Sequence, residues 1–249
     1  MNILLIADIH ANFPALQAVE KHFTPWDFDL VINCGDSIVY GPFPNETLAW
    51  LKARSVLSIL GNTDKKVLKL LHGKQLAKPS DPLKRIMYTW TAEQLLPQWK
   101  ECLEILPKKK TELLRVLPQS TAEQERLYKI GIYHGSPAKN HEFLFNATPD
   151  ARFLQLAEES GMDIIVCGHS HDPFHKEFNG QHFINPGSLG RMFDGNPQLS
   201  CATLHLDVEH VLVRHHRLNY DIEKTVAALQ QASLPQIYCE MYRQGRKTN

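Results

Sequence analysis

Residues 3–10 read ILLIADIH, an unbroken apolar run that leads directly into a carboxylate and an imidazole. A run of this length without polar–apolar alternation is typical of a β-strand that is buried on both faces, as in the parallel sheets of α/β proteins. The pattern returns at residues 28–34, just before Asp36, and at residues 163–167, just before His169. The sequence therefore predicts several buried strands, each followed by a polar side chain that can bind a metal.

Helical spacing follows the first two predicted strands, at residues 14–23 and 45–53, and we expect Asn45 to cap the second helix. A third short strand is predicted at residues 56–60. This alternation indicates an α/β fold whose first half is largely parallel. The later segments predict an antiparallel second half, with strands at 129–133, 182–184, 201–206 and 210–218, a helix that Thr148 caps and that runs to Ser160, and a helical tail at 221–244.

Residues 65–128 differ from the rest of the chain, because their spacing is mostly helical and is interrupted by prolines. We predict a helical cap inserted into a single domain that spans residues 1–249. The aromatic side chains Tyr88, Trp90 and Trp99 are compatible with a substrate pocket or with a small core beneath the insertion, and the spacing favours the core.

Formal net charge is zero, from 27 basic and 27 acidic side chains, so no global field draws the chain to nucleic acid or to an anionic membrane. The longest apolar runs are far shorter than the ~20 residues of a membrane helix, and no basic segment precedes the first strand as in a signal peptide. We expect a cytoplasmic protein without a membrane partner or stable nucleic-acid binding. The five cysteines are predicted to be reduced and structural, and Lys108 to Lys110 to form a solvated loop.

Seven side chains of metal-binding type follow predicted strands, on five separate segments of the chain. The carboxyl ends of the strands in an open α/β sheet line one crevice, where ligands bind. A single Asp or His at a strand end is ordinarily a helix cap or a satisfied polar group. Five segments that end alike, four of them beside a glycine, instead favour one shared site. The predicted metal ligands are Asp8, His10, Asp36, Asn62, His134, His169 and His171.

Two segments carry ligands two residues apart, Asp8 with His10 and His169 with His171. Residues two apart on an extended chain point to the same side, so each pair is expected to address one ion. Carboxylate, imidazole and amide groups together suit Mn, Fe, Zn or Ni ions. Seven ligands exceed the needs of one ion, and two ions ~3.5–4 Å apart that share a carboxylate would clamp a phosphate and activate a bridging water for in-line attack. The predicted chemistry is phosphoester hydrolysis.

The motifs that contain these ligands resemble those of the calcineurin-like metallophosphoesterases, in both order and spacing. The resemblance covers nearly the whole chain and is strongest to a small bacterial branch related to the YfcE-type phosphodiesterases. The motifs are Asp8-Ile9-His10, Gly35-Asp36, Tyr40-Gly41-Pro42, Gly61-Asn62-Thr63-Asp64, His134-Gly135, Gly168-His169-Ser170-His171 and Asn185-Pro186-Gly187-Ser188.

This resemblance implies a four-layer α/β/β/α sandwich of two mixed sheets, with residues 199–218 in the second sheet and the helical insertion over the active face. It also implies two divalent ions, with manganese as the first candidate, and a small phosphoester substrate. Asp36 then bridges the ions, and Asp36, Asn62 and His134 are catalytic residues. The implied ligand sets are Asp8, His10, Asp36 and His171 for one ion, and Asp36, Asn62, His134 and His169 for the other.

One position departs from the family pattern. Many members carry a histidine directly after the Gly-Asn pair, as the acid that protonates the leaving group, whereas this chain has Thr63. A threonine hydroxyl is a poor proton donor at neutral pH. We therefore expect phosphodiesters, or other esters with good leaving groups, to be preferred over alkyl monoesters unless His72 or another group replaces the acid. Hydrolysis of phosphomonoesters, nucleotides or dinucleoside polyphosphates is the alternative.

Asn12, Thr63 and Arg191 are predicted to contact the substrate, although a turn role for Asn12 and a surface ion pair for Arg191 fit the sequence equally well. A non-catalytic scaffold of the same fold, as in the related retromer subunit, is a further alternative. Such scaffolds tend to lose metal ligands, whereas every ligand position is filled here. A nuclease would need a basic groove, which the balanced charge disfavours.

Overall fold

The computed structural model describes residues 1–118 and 124–248. Ten strands form within these residues, and eight of them overlap segments that were predicted to be strands. They are β1 (Asn2–Ile6), β2 (Leu30–Asn33), β3 (Leu57–Ser58), β4 (Lys109–Val116), β5 (Arg126–Tyr133), β6 (Ile164–Val166), β7 (Phe174–Phe178), β8 (Gln181–Asn185), β9 (Leu199–Leu206) and β10 (Val211–Leu218).

Eight helices lie in the described part of the chain. Four of them carry proline in their first two positions, where a backbone N–H would have no partner within the helix. No described helix is long and apolar enough to cross a membrane. The helices are α1 (Phe13–His22), α2 (Pro44–Ala53), α3 (Asn62–Leu71), α4 (Pro82–Gln94), α5 (Pro97–Glu104), α6 (Asp150–Ser160), α7 (Ile222–Gln231) and α8 (Gln236–Gln244).

Two five-stranded mixed sheets have the strand orders β10-β9-β1-β2-β3 and β4-β5-β6-β8-β7. In the first sheet β1, β2 and β3 run parallel, and β9 and β10 are added antiparallel. In the second sheet β5, β6 and β8 run parallel between the antiparallel edge strands β4 and β7. Six of the seven predicted ligands lie in the loops after the parallel strands β1, β2, β5 and β6, and Asn62, which follows β3, is the first residue of α3.

Hydrophobic side chains fill three layers, between the two sheets and between each sheet and its helices. Leu5 of β1 and Ile164 of β6 lie in the layer between the sheets. Leu4 instead packs toward the helices of the first sheet, and Ile165 packs with Phe153 of α6 outside the second. The predicted α/β/β/α sandwich is therefore confirmed. All five cysteines are free and four are buried, as predicted.

The position of β9 and β10 corrects the expected sheet assignment. Residues 199–218 belong to the first sheet and not to the second, because β9 pairs antiparallel with β1, with Leu4 opposite Thr203. The burial of β9 on both faces gives the physical reason, since such a strand needs a partner on each side, here β1 and β10. The antiparallel pairing of β9 with β10 is confirmed.

The segment 65–128 is helical only in its first part. Helices α3, α4 and α5 end at Glu104, and β4 follows antiparallel to β5. Exposed and less exposed residues alternate along β4, which is the period of a strand and not of a helix. The helical prediction is therefore wrong for residues 109–116, and Lys109 and Lys110 begin a strand where a loop was expected. Residues 119–123 of the predicted cap lie outside the described residues.

Two predicted helix caps are also wrong. Asn45 lies inside α2, and its side-chain amide donates to the Gln94 carbonyl while its side-chain oxygen accepts from the Leu96 N–H. It thereby ties α2 to the junction of α4 and α5. The Thr148 hydroxyl accepts from the Phe145 N–H and caps the preceding turn, because α6 begins only after Pro149.

Candidate metal centre

The predicted ligands lie on loops with a strained backbone. Asp8, His10, Asp36, His169 and His171 all have positive φ angles, between 51° and 68°. Residues with a Cβ atom adopt this region uncommonly, and such strain concentrates at functional sites. Backbone hydrogen bonds hold these loops in place, for example from the His10 N–H to the Asp36 carbonyl at 3.0 Å.

This backbone changes how the ligands pair. The expectation that ligands two apart share an ion assumes an extended chain, which the positive φ angles contradict. Asp8 and His10 do share a group, but His169 and His171 are divided between two groups, so that part of the prediction is wrong. Within each group the potential ligand atoms lie within 4.8 Å of one another, and the groups are Asp8, His10 and His171, and Asp36, His134 and His169.

Glycines allow the ligand loops to approach each other closely. A Cβ atom added to Gly61 would lie 2.1 Å from the backbone nitrogen of Asp36, and one added to Gly168 would lie 2.8 Å from Oδ2 of Asp8. Gly35 has a φ of +92° besides its tight packing. The expected close approach beside the ligands is confirmed at these positions.

In the first group, nitrogen and oxygen atoms that can bind a metal are buried close together, and some of them lack hydrogen-bond partners among the described residues. The Nδ1 of His171 donates to the Arg191 carbonyl, so its Nε2 presents a lone pair. That Nε2 lies 3.3 Å from Nε2 of His10 and 3.5 Å from Oδ1 of Asp8. Neither Asp8 Oδ1 nor His10 Nδ1 has a hydrogen-bond partner among the described residues. A single cation could bind Asp8 Oδ1, His171 Nε2 and one of the two ring nitrogens of His10.

The second group shows the same feature. The Nδ1 of His134 donates to the Cys34 carbonyl at 2.9 Å, and its Nε2 lies 3.1 Å from Oδ1 of Asn62 and 3.4 Å from Oδ1 of Asp36. Three acceptors converge there unless a proton or a metal ion lies between them. The buried Nε2 of His169 has no partner within the described chain. Carboxylate, imidazole and amide donors in this arrangement fit a divalent ion.

The Asp36 carboxylate interacts electrostatically with histidines of both ligand groups. Burial raises the pKa of its carboxyl, but His134 and His10 outweigh burial and hold that pKa well below its usual range. His134 belongs to the second group and His10 to the first. The predicted role of Asp36 as the shared ligand remains a prediction that this position supports.

The pKa values of the buried histidines shift in opposite directions. Burial, helped by His171, lowers the pKa of His10 to about 3, and burial with His134 lowers that of His169 to about 4. Burial also lowers the pKa of His134, but the Asp36 carboxylate outweighs it and raises the pKa to about 9. His10 and His169 are therefore neutral ligands at pH 7, whereas His134 must exchange a proton for a metal.

Asn12 does not reach the candidate site, which corrects its predicted role in substrate binding. Its side chain is fully buried, donates to the Gly190 carbonyl at 3.1 Å and accepts from the Thr225 hydroxyl at 3.0 Å. Both ends of the amide are thus occupied within the fold. Asn12 joins α1 to the Gly190 loop and to α7.

Thr63 and Arg191 do line the cavity beside the ligands, which has a volume of about 270 Å³. The Thr63 N–H donates to Oδ1 of Asp36 at 2.8 Å, and its hydroxyl donates to the Ile38 carbonyl at 3.1 Å. The Arg191 guanidinium stacks 3.8 Å from the ring centre of Tyr40. No described carboxylate pairs with Arg191, so the expected surface ion pair is absent within the described chain.

The Asn-Pro-Gly-Ser motif supports this site from behind. The Ser188 hydroxyl donates to the backbone carbonyl of Asp8 at 2.7 Å and accepts from the Arg191 N–H at 2.8 Å. Asn185 donates to the Gly168 carbonyl at 3.0 Å. The motif therefore positions two ligand loops and Arg191 together.

Several cavity residues were not predicted from the sequence. Phe143 stacks on His169 with ring centres 4.0 Å apart, and Phe193 stacks on His171 at 4.3 Å. No spacing signal marks these residues, because each comes from a loop remote from its partner. The insertion and the chain end also contribute residues to the lining, which are Lys66, Pro79, Lys84, Tyr88 and Lys247.

Strands that run parallel within each of the two sheets end beside one cavity, where two groups of Asp and His side chains meet. This arrangement fits the class of metal-dependent phosphoesterases. The model of the calcineurin-like phosphoesterase superfamily domain matches residues 1–209, and the chain belongs to this superfamily. The narrower assignment to a YfcE-type branch stays a prediction.

Similar proteins occur in archaea and bacteria. An uncharacterized protein of Methanocaldococcus jannaschii is 28% identical over 261 aligned positions, which cover 98% of both chains. A metallophosphoesterase structure from Sphaerobacter thermophilus is 26% identical, with a TM-score of 0.76 over 98% of this chain and 99% of that one. A hypothetical protein from Pyrococcus horikoshii, 18% identical over 99% of each chain with a TM-score of 0.84, shares the fold.

Proposed function

We propose that this protein hydrolyses phosphoesters, preferably phosphodiesters, at two divalent ions held by the two ligand groups. The unpaired ligand atoms carry this proposal. Asp8 Oδ1 and His169 Nε2, one atom in each group, are buried without hydrogen-bond partners among the described residues, although burying such groups unpaired is costly. Ions at the two groups would remove that cost beside a cavity of about 270 Å³.

When bound, two divalent ions supply Lewis-acid polarisation of a phosphoryl group and activation of water. The chain supplies the rest. Arg191, fixed over Tyr40, offers guanidinium N–H donors to phosphate oxygens entering the cavity. Asp36, kept ionised by the charged His134, contributes negative charge on the side where ions would bind. The substrate phosphate would thus lie between the ligand groups and Arg191.

The preference for phosphodiesters rests on the absence of a free acid at the position of Thr63. Its hydroxyl already donates a hydrogen bond to the Ile38 carbonyl. His72, the alternative acid, does not line the cavity and instead lies 2.7 Å from Glu104. Esters whose leaving groups need little protonation are therefore the proposed substrates.

Metal-stripped protein reconstituted separately with Mn, Fe, Zn or Ni tests the proposal. We expect metal-dependent turnover of bis(p-nitrophenyl) phosphate, best with manganese, and slower turnover of p-nitrophenyl phosphate. The scaffold alternative predicts no bound metal and no turnover with any ion, and that outcome would refute the enzyme proposal.

Asp36→Asn provides the matched variant, because it removes the charge and keeps the shape that accepts from the Thr63 N–H. We expect its activity to fall by more than the ~10–100-fold that loss of an outer-shell partner costs a metal site, with less metal bound per chain by elemental analysis. The control is Asp27→Asn, which changes an exposed carboxylate and should leave both quantities unchanged.

A further inference from the structure

Four cationic side chains line the cavity alongside the candidate ligands. They are Arg191, Lys66 on α3, Lys84 on α4 and Lys247 after α8. The four positions lie far apart in the chain, and the net charge of the whole protein is zero. The cavity therefore concentrates positive charge that composition does not reveal.

These cations lack anionic partners. Arg191, Lys66 and Lys247 pair with no carboxylate in the described part of the chain, and Lys84 has only a long contact of 3.9 Å to Asp81. Burial lowers the pKa of Lys66, and Lys69 and Lys84 lower it further, whereas the Asp36 carboxylate partly opposes this shift. Burial, Lys84 and Arg191 lower that of Lys247. The cations thus repel one another across the cavity, and Asp36 is the one carboxylate among the described residues that line it.

Aromatic side chains hold the cations in position. The Lys66 ammonium donates to the Tyr88 hydroxyl at 3.5 Å and lies 5.3 Å from the centre of that ring. Lys247 lies 6.0 Å from the ring centre of Phe193. Cation–π contacts of this kind orient an ammonium without consuming its charge. Lys66 and Lys247 are therefore positioned for an anion that comes from outside the protein.

We propose that Lys66, Lys84 and Lys247 form a subsite for a second phosphate group, so that the preferred substrate carries at least two phosphates. This inference rests on the proposed function, in which the metal ligands and Arg191 take up the scissile phosphate. A simple phosphodiester carries one negative charge and leaves three lysine charges unmatched. A second phosphate group brings up to two more negative charges and acceptor oxygens for several ammonium donors.

Two chromogenic substrates that differ by one phosphate test the subsite on the metal-loaded protein. They are the p-nitrophenyl ester of thymidine 5′-phosphate and the same ester with an added 3′-phosphate. We expect kcat/KM to be about tenfold higher for the second, the effect of one strong charge-assisted contact. The double variant Lys66→Gln/Lys247→Gln should bring the ratio of the two kcat/KM values close to one.

Matched controls separate a local subsite from a general effect of charge. The control variants are Lys69→Gln and Arg85→Gln. Lys69 lies on the same helix as Lys66, and Arg85 lies next to Lys84 in the chain; both residues are exposed, and neither lines the cavity. The two control variants should keep the wild-type ratio. A ratio near one in the wild type, or an equal fall of the ratio in the controls, would overturn the subsite.

A binding measurement keeps the two proposals distinguishable. Calorimetric titration of the metal-stripped protein with inorganic pyrophosphate and with phosphate reports on the cations alone. We expect pyrophosphate to bind about tenfold more tightly than phosphate, and the double variant to lose that difference. If no metal supports turnover of either ester, the proposed function is refuted. The titration then tests the phosphate subsite independently of activity. Equal binding of the two anions would then reject it.

Discussion

Thr63 occupies the position where many family members have histidine, and its contacts show what it does instead. Its backbone N–H donates to Asp36 and its hydroxyl donates to Ile38, so the residue orients a predicted ligand and ties α3 to the loop after β2. The side chain also lines the cavity. A proton donor introduced at this position would therefore face the substrate.

We predict that Thr63→His raises kcat for alkyl phosphomonoesters by about tenfold, less than the ~10²–10⁴-fold of an optimised general acid. The imidazole would supply the proton that the leaving alkoxide needs, and the new activity should fall as pH rises above the imidazole pKa. Thr63→Gln is the control, because it adds bulk without an acid. Equal rates in the two folded variants would contradict the prediction.

At the scale of loops and elements, the metal centre depends on where a Cβ atom is tolerated. Gly41 packs so closely that an added Cβ would lie 2.4 Å from the carbonyl oxygens of His10 and Ala11. Its N–H also donates to the His10 carbonyl at 2.8 Å, so the two loops cannot separate without loss of that bond. Gly161, at the end of α6, has a φ of +61° but has no atom within 4 Å of an added Cβ.

These two glycines give a matched pair of substitutions. Gly161→Ala should cost about 1 kcal/mol in the free energy of unfolding, from left-handed backbone alone, with activity unchanged. Gly41→Ala should cost about 3 kcal/mol or more and weaken metal binding, because the clash displaces the backbone of His10. Urea unfolding and metal content per chain measure both effects. Normal metal affinity in a folded Gly41→Ala protein would contradict the prediction, because it would show that the loop accommodates the Cβ atom without displacing His10.

At the scale of the whole molecule, the buried histidines link stability to pH. His10 and His169 have folded-state pKa values of about 3 and 4, below the 6.5 of a free histidine, so the unfolded chain takes up their protons first. Stability from these two groups is therefore lost as pH falls below about 6.5. His134, with a raised pKa of about 9, contributes stability that is full below 6.5 and is lost as pH rises toward 9.

We predict that the free energy of unfolding of the metal-free protein decreases between pH 6.5 and 4.5, with each of the two histidines contributing up to ~1.4 kcal/mol per pH unit. His169→Asn should show a smaller decrease, because it removes one of these titrating groups. His141→Asn, at an exposed histidine, should behave as the wild type does. Denaturant unfolding at each pH measures the effect, and identical slopes in His169→Asn and wild type would contradict it.

The fold class and the residues that meet at the candidate metal centre were predictable from the sequence, because both depend on local patterns. Continuous apolar runs predict strands buried on both faces, and side chains that follow parallel strands meet at one edge of a sheet. Asp8, Asp36 and His134 could therefore be placed at one site although about 125 residues separate the first from the last. The strand β4 was missed because its alternating pattern lies within a segment of mostly helical spacing.

Only the tertiary structure decided which elements and side chains meet. The place of β9 beside β1 depends on long-range complementarity that no spacing expresses. His169 and His171 face different groups because their backbone is left-handed; the family resemblance implied this division, whereas the spacing argument, which assumes an extended chain, did not. The cavity cations come from segments distant in the chain, so the charge that would meet a substrate arises only when the chain folds.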